Sequence, residues 1–321
     1  MSKLRVAVLR GGPSSEYEVS LKSGATVLNN LPEKYQPIDV FIDTEGTWHI
    51  DGLPIKPESL LKKADVAFIA MHGEYGEDGK VQKILETHGI PFTGSGSFAS
   101  AMGMNKAKTK EIFKQYGIKT PYHILLNKAE MTKEKVHELF RSFPHPNIVK
   151  PASAGSSIGV SKVEKFDELE PALLKAFEYG PVVIMEEFIA GKEATCGVVN
   201  NFRNEELYSL LPVEIRKPAE NAFFDYDAKY NGKSEEICPG NFTAEEKHHI
   251  QEAAKAIHKA LGLRHYSRSD FIVHPRRGIY ALEVNTLPGL TSESLLPKSL
   301  AAVGSTLPEF FDHIITLALA K

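Results

Sequence analysis

The chain is predicted to fold as an α/β protein, α+β in its later part, on three observations. Strand-like apolar runs first alternate with amphipathic helical segments, a small-residue loop joins two strands near residue 155, and a strongly patterned strand–turn–strand unit occupies residues 268–285. Residues 4–9 read as a buried strand, GGPSSE as a loop and residues 19–31 as an amphipathic helix. With further strands at 38–42 and 66–70, this unit is expected to hold a parallel sheet, and it ends near IPFTGSGS. Helix dominates 99–116, followed by a strand, a helix at 133–141 and a strand at 147–150. The loop PASAGSSIG comes next, then strands at 182–188, 194–200 and 206–213. The polar and aromatic stretch 216–242 is long for a connection inside a compact domain, and such stretches are usually functional. Thr243 with Glu246 forms a capping box that opens a helix to Leu261. The hairpin follows, and two short helices close the chain.

Composition narrows the function. At 321 residues the chain is long enough for two or three domains, and its 42% hydrophobic and 25% charged residues are those of a soluble globular protein. A net charge of -3 argues against a general electrostatic grip on nucleic acid or anionic lipid, so anionic ligands must be held by locally placed Lys and Arg. Cys196 and Cys238 show no metal-ligand spacing, the apolar run after Met1 is too short for a signal peptide, and no stretch approaches the roughly 20 apolar residues of a membrane span. These features point to a protein of the reducing cytoplasm, with neither nucleic acid nor membrane as partner.

The hairpin is the most informative segment. RSDFIV and IYALEVN have strand composition and HPRRG supplies the turn. Whether the turn is centred on Arg276-Arg277 or the loop runs from Pro275 to Gly278, Asp270 is expected opposite Glu283 and Arg268 opposite Asn285, all on one face. Carboxylates opposed at about 5 Å repel, so the pair needs a compensating positive charge. A divalent cation is the obvious candidate, because two carboxylates and an amide oxygen are the hard donors that suit Mg²⁺. The alternative is a one-residue bulge that turns Asp270 to the opposite face and leaves a solvated hairpin.

Other segments admit two readings. Lys150 stands at a strand end before a loop, Pro151 to Gly159, whose small residues let backbone N–H groups approach an anion; a plain flexible loop fits equally. It is not a Walker A loop, since the G-x-x-x-x-G-K-[ST] order is absent. GSGSFA matches G-x-G-x-x-A only formally and reads as a domain connector. His72-Gly73-Glu74-Tyr75-Gly76-Glu77-Asp78-Gly79 follows a strand and so lies at a carboxyl-end crevice, with Asp78 more simply a helix cap.

GGPSSEYEVSLKSG, HGEYGEDGKVQ, GSGSFASAMGMNKAKTK, VKPASAGSSIGV, EEFIAGKEATCGV, DYDAKY, RSDF and EVNTLPGLTSESLLP, in this order, resemble the D-alanine:D-alanine ligases of the ATP-grasp superfamily from end to end. The resemblance implies three domains, expected at 1–97, 98–184 and 185–321, and ATP-dependent ligation of two D-alanines through an acyl phosphate for peptidoglycan synthesis. It implies ATP as substrate, two Mg²⁺ ions replaceable by Mn²⁺, and a homodimer. For ATP it implies Lys106, Lys150 and Ser157 at the phosphates, Glu186, Glu187, Phe188 and Ile189 at the adenine, and Glu193 at the ribose. The metal ligands correspond to Asp270, Glu283 and Asn285, and the oxyanion donors to Arg268 and the Gly289 N–H. Glu16, His72, Ser294 and Leu295 fall at the amino-acid sites, and Glu16, Ser156 and Tyr230, with Lys229 beside them, at the closing loop. The chain departs from common family forms at Ser153-Ala154, Phe188 and Asn105. A D-alanine:D-lactate ligase is the rival activity, and it would differ in the loop carrying Lys229-Tyr230.

Overall fold

The computed structural model describes residues 3–153, 155, 157–216 and 235–320. The first unit runs β1 (Leu4–Gly11), α1 (Tyr17–Asn30), β2 (Tyr35–Ile42), β3 (Trp48–Ile50), β4 (Leu53–Ile55), α2 (Leu60–Lys63), β5 (Val66–Ile69) and α3 (Lys80–Thr87). β1 pairs in parallel with β2 and β5, as the alternating pattern predicts. The sheet is nevertheless mixed, because β2, β3 and β4 continue it antiparallel. That hairpin has a sequence signal: Asp51 and Gly52 both take positive φ, 51° and 76°, as the type I′ turn of a D-G hairpin demands.

The second unit comprises α4 (Ser97–Met104), α5 (Lys106–Gln115), β6 (His123–Asn127), α6 (Lys133–Ser142), β7 (Asn147–Pro151), β8 (Ser161–Val163), α7 (Phe166–Phe177) and β9 (Val182–Glu187). Its four strands form an antiparallel sheet in the order β6-β9-β7-β8. The single helical region expected over 99–116 is two helices. Asn105 takes an extended backbone and its side chain accepts the Lys108 N–H at 3.1 Å, so it ends one helix and caps the next.

The third unit contains β10 (Lys192–Phe202), β11 (Glu205–Ser209), β12 (Val213–Arg216), β13 (Glu235–Ile237), α8 (Ala244–Ala260), β14 (Tyr266–His274), β15 (Gly278–Asn285), α9 (Leu295–Ala302) and α10 (Leu307–Leu319). The strand expected at 206–213 divides where Pro212 cannot donate to a ladder. Thr243 caps α8 as expected, its Oγ1 accepting from Glu246 N at 3.1 Å while the Glu246 carboxylate accepts from Thr243 N at 2.8 Å.

In the hairpin, Arg268 pairs with Asn285 and Asp270 with Glu283, as expected. A bulge exists too, but its effect is the reverse of the one anticipated. From the turn, His274 pairs with Gly278 and Phe271 with Ala281, a register that continued unbroken would set Asp270 against Leu282. The extra residue at Leu282 shifts the ladder by one and brings the carboxylates face to face.

The C-terminal helix closes the first sheet. Phe310, Phe311, Ile314 and Ile315 of α10 are fully buried in the same core as Val6, Val8 and Phe68, with Phe68 and Phe311 edge-to-face at 5.3 Å. Burying each contributes about 2 kcal/mol, and truncating Phe311 to Ala costs about 3–5 kcal/mol. Among the described residues no helix is long and apolar enough to cross a membrane.

Two buried histidines hold neighbouring elements together. His258 of α8 bonds Ser267 Oγ at 2.7 Å and Asn200 Oδ1 at 2.9 Å, and His265 Nδ1 accepts the Gly94 N–H at 2.9 Å. Burial pushes both imidazoles down to about 4. The unfolded chain takes up these protons near pH 6.5, so the stability they support is complete above that pH and is lost as pH falls toward 4, on the order of 3 kcal/mol for each. We therefore expect the melting temperature to fall steadily between pH 6.5 and 4, and His265→Gln to flatten part of that slope. A profile unchanged by the substitution would remove His265 as the cause.

Candidate active site

The hairpin supplies one wall of a cavity. Asp270 accepts Nε and Nη2 of Arg268, each at 3.0 Å, Thr195 Oγ1–H at 2.6 Å and Asn285 Nδ2 at 3.3 Å. Across the ladder, Glu283 pairs with Lys106 at 3.2 Å. The repulsion foreseen for the two carboxylates is thus offset by Arg268 and Lys106 within the protein. Arg268 stays charged: burial lowers its pKa, but Asp270, then Glu283, outweigh it and raise it. The bulge also lets consecutive residues face inward. Leu282 joins Ile189 and Ile272 in an apolar wall, while Glu283 beside it points its carboxylate into the same cavity.

The second wall is cationic. Lys106 opens α5, and Lys150 on β7 reaches the buried Glu186 of β9, Nζ to Oε1 2.6 Å. The register places Glu186 opposite Ile148, so Lys150 is its diagonal neighbour on one face. Lys110, one helical turn beyond Lys106, approaches the other oxygen of Glu186 at 2.9 Å. Burial alone would raise the Glu186 pKa, but Lys110 and Lys150 hold it down to about 2. Glu187 pairs with Arg277 at 3.0 Å, and the Phe188 ring is covered by the Lys162 ammonium at 4.5 Å from its centroid.

The third wall comes from the first unit and the segment after β15. His72 is buried, with Nδ1 2.8 Å from Leu287 O and Nε2 2.7 Å from Ser23 Oγ. Since Leu287 O can only accept, Nδ1 carries the proton and Nε2 accepts from Ser23. Burial lowers the His72 pKa, so the ring is neutral and both nitrogens are spent inside the protein. Glu77 accepts the Gly73 N–H at 3.0 Å and the Leu287 N–H at 2.9 Å, tying the two loops together. Ser294 is the residue before α9, so Leu295 begins a helix as expected, and Ser294 Oγ bonds Thr291 Oγ1 at 2.8 Å. A Cβ on Gly289 would stand 2.6 Å from Ser294 Oγ, so a side chain there would force the serine hydroxyl to move.

All described residues that the sequence singles out line this one cavity of about 640 Å³: Glu16, His72, Lys106, Lys150, Ser157, Glu186, Glu187, Phe188, Ile189, Glu193, Arg268, Asp270, Glu283, Asn285, Gly289, Ser294 and Leu295. Ser156, Lys229 and Tyr230 lie outside the described residues. Sequence reasoning gave no role to Glu77, which also lines the cavity, nor to Thr195 and Lys110, which stand behind it. For Lys110 the signal was its spacing of four from Lys106. For Glu77 it was a second carboxylate in a loop already placed at the crevice. Asp78 is not the formal cap of α3, which is Gly79, although its carboxylate accepts the Lys80 N–H at 3.0 Å.

Comparison with known proteins bears on the family and the fold. The family description "D-ala D-ala ligase C-terminus" matches residues 112–316, and "D-ala D-ala ligase N-terminus" matches 5–59 and 52–95. A D-alanine--D-alanine ligase of Pelotomaculum thermopropionicum is 40% identical over 98% of this chain and 97% of its own length. Among solved structures, the VanG D-Ala:D-Ser ligase of Enterococcus faecalis superposes with a TM-score of 0.88 at 33% identity, covering 98% of this chain and 99% of that one. The D-alanine--D-alanine ligase of Bacillus anthracis in complex with ATP gives 0.80 at 34% identity, over 98% and 97%.

Glu77 yields a test of this wall. Burial, and then the nearby Glu16 charge, raise its carboxyl to about 7. A raised carboxylate pKa means the folded state keeps a proton the unfolded chain releases near pH 4.5, so the contribution is present below that pH and lost as pH rises through 7. Glu77→Gln should therefore become progressively more stable relative to the parent from pH 5 to 8 in denaturant titrations. A stability difference independent of pH would contradict the assignment.

Proposed function

This chain belongs to the D-alanine–D-alanine ligase family, and we propose from that membership and the site's geometry that it joins two D-alanines with ATP, serving peptidoglycan precursor synthesis. The observation that supports this most is a single cavity in which a lysine- and carboxylate-rich wall, suited to nucleotide phosphates, meets an end carrying Glu16, Arg268, Gly289 and Ser294. In the reaction, the carboxylate of the first D-alanine attacks the γ-phosphorus of ATP, giving D-alanyl phosphate and ADP. The uncharged amine of the second attacks the carbonyl carbon, and the tetrahedral intermediate breaks its bond to the phosphate oxygen, releasing phosphate and a proton.

Phosphoryl transfer needs positioning and charge neutralisation more than a nucleophilic side chain. Lys106 and Lys150 are proposed to meet the phosphates with Ser157 in the covering loop, Glu186 to Ile189 the adenine, and Glu193 the ribose. Arg268 is oriented by its two bonds to Asp270, which use the Nε edge and leave the Nη1 edge to face the oxyanion beside the Gly289 N–H. Losing one such donor typically costs about 3 kcal/mol of barrier. Glu16 is assigned to the first substrate's ammonium, and Ser294 with the Leu295 N–H at the start of α9 to the second substrate's carboxylate. His72, with both nitrogens committed, orients the 287–290 segment in this reading; it does not donate to substrate.

Asp270, Glu283 and Asn285 are proposed to hold Mg²⁺, which Mn²⁺ can replace; their hard oxygens, two anionic and one amide, fit it. When bound, the ions neutralise charge on the phosphate oxygens. The protein is proposed to act in the cytoplasm as a homodimer, with no nucleic-acid or membrane partner. The three-domain division at 1–97, 98–184 and 185–321 gives each span one of the three sheets, with the last three residues of β9 beyond the second boundary.

ATP consumption is expected only when Mg²⁺ and D-alanine are both present, with D-alanyl-D-alanine the main product when D-lactate or D-serine competes. Turnover with L-alanine alone, or mainly ester from mixed substrates, would contradict the assignment. Glu283→Gln is expected to lower turnover by roughly two or more orders of magnitude through loss of an anionic metal ligand. Its melting temperature is expected to change little, because the repulsion from Asp270 is removed together with the Lys106 pair. Near-normal turnover would disprove the metal assignment.

A further inference from the structure

Lys110 is fully buried and is not among the residues that line the cavity. A lysine in that position is costly to bury, and an apolar side chain of similar size serves a purely structural role at least as well. Its ammonium is shared between Glu186 Oε2 at 2.9 Å and Thr120 Oγ1 at 2.6 Å, while Lys150, which does line the cavity, holds Glu186 Oε1. One buried carboxylate therefore serves two ammonium groups, and the cluster as a whole keeps a single positive charge.

We propose that Lys110 is a positioning residue for nucleotide binding, sharing the charge of Glu186 so that Lys150 keeps its attraction for the phosphates of ATP. The proposal rests on reading the cavity as an ATP site. Without Lys110, Glu186 and Lys150 form a closed neutral pair, and the carboxylate 2.6 Å from the ammonium cancels most of its field a few ångströms away. Burial pushes the Lys110 ammonium down to about 8 against the pull of Glu186, the direction expected for a charge kept by its partner and not by solvent. The arrangement is visible along the chain as well. α5 presents Lys106 to the cavity and, one turn later, Lys110 to the strand behind it.

The test is a binding cycle by calorimetry with ADP and with adenosine, which lacks phosphates, on the wild type, Lys110→Met, Glu186→Gln and the double variant. Lys110→Met is expected to weaken ADP binding by about tenfold or more, leave adenosine within about twofold, and lose most of its effect when Glu186 is also neutral. Lys110→Gln, which can still donate to Glu186 and Thr120 without carrying charge, supplies the same arm if the methionine variant does not fold. The proposal fails if ADP binding is unchanged, if ADP and adenosine weaken equally, or if the double variant binds ADP no better than Lys110→Met. Absence of ADP binding by the wild type would defeat the nucleotide-site reading itself, a result distinct from an insensitive Lys110 variant.

Discussion

Two carboxylates facing each other across a two-stranded ladder set the terms for this site. Asp270 and Glu283 repel, and side chains from other elements are arranged to offset them: Arg268, Thr195 and Asn285 around Asp270, and Lys106 on Glu283. The same pattern of alternating charge recurs in Lys150, Glu186 and Lys110. The basic groups of the cavity are thus held in place by bonds to carboxylates. The opposition itself depends on one residue, Leu282, whose insertion in β15 corrects a register that the turn sets one step away.

All three units contribute walls, and close backbone approach makes this possible. A Cβ on Gly155, in the loop after β7, would stand 3.0 Å from Glu16 Oε1 at the start of α1, so Gly155 of the second unit lies against the first. Gly289 approaches Ser294 in the same way. Glu77 and His72 then bind the 287–290 segment from the first unit's side.

Much of this was legible in the chain because the signals are local. Alternation in RSDFIV and IYALEVN fixed which residues share a face, and the cap at Thr243 needed only four residues to identify. What escaped reading depends on tertiary context or on short elements. The β3–β4 hairpin has three-residue strands despite its Asp51-Gly52 turn. Asn105 divides a continuous helical pattern by its backbone alone. The bulge at Leu282 compensates for a three-residue turn centred on Arg276 in place of one centred on Arg276-Arg277, which a spacing rule cannot detect. Lys110 and Glu77 acquire meaning only through partners on distant segments, β9 and the loop after β15.

The central proposal is that the hairpin carboxylates, paired with Arg268 and Lys106, are the cation site for a bound nucleotide. It is tested most directly by a crystal structure with Mn²⁺ and ADP, using the anomalous signal of the metal. The account predicts manganese on the side-chain oxygens of Asp270, Glu283 and Asn285, with Lys106 moved from Glu283 toward the phosphates. Manganese bound elsewhere, or Lys106 still paired with Glu283 beside an occupied nucleotide site, would contradict it.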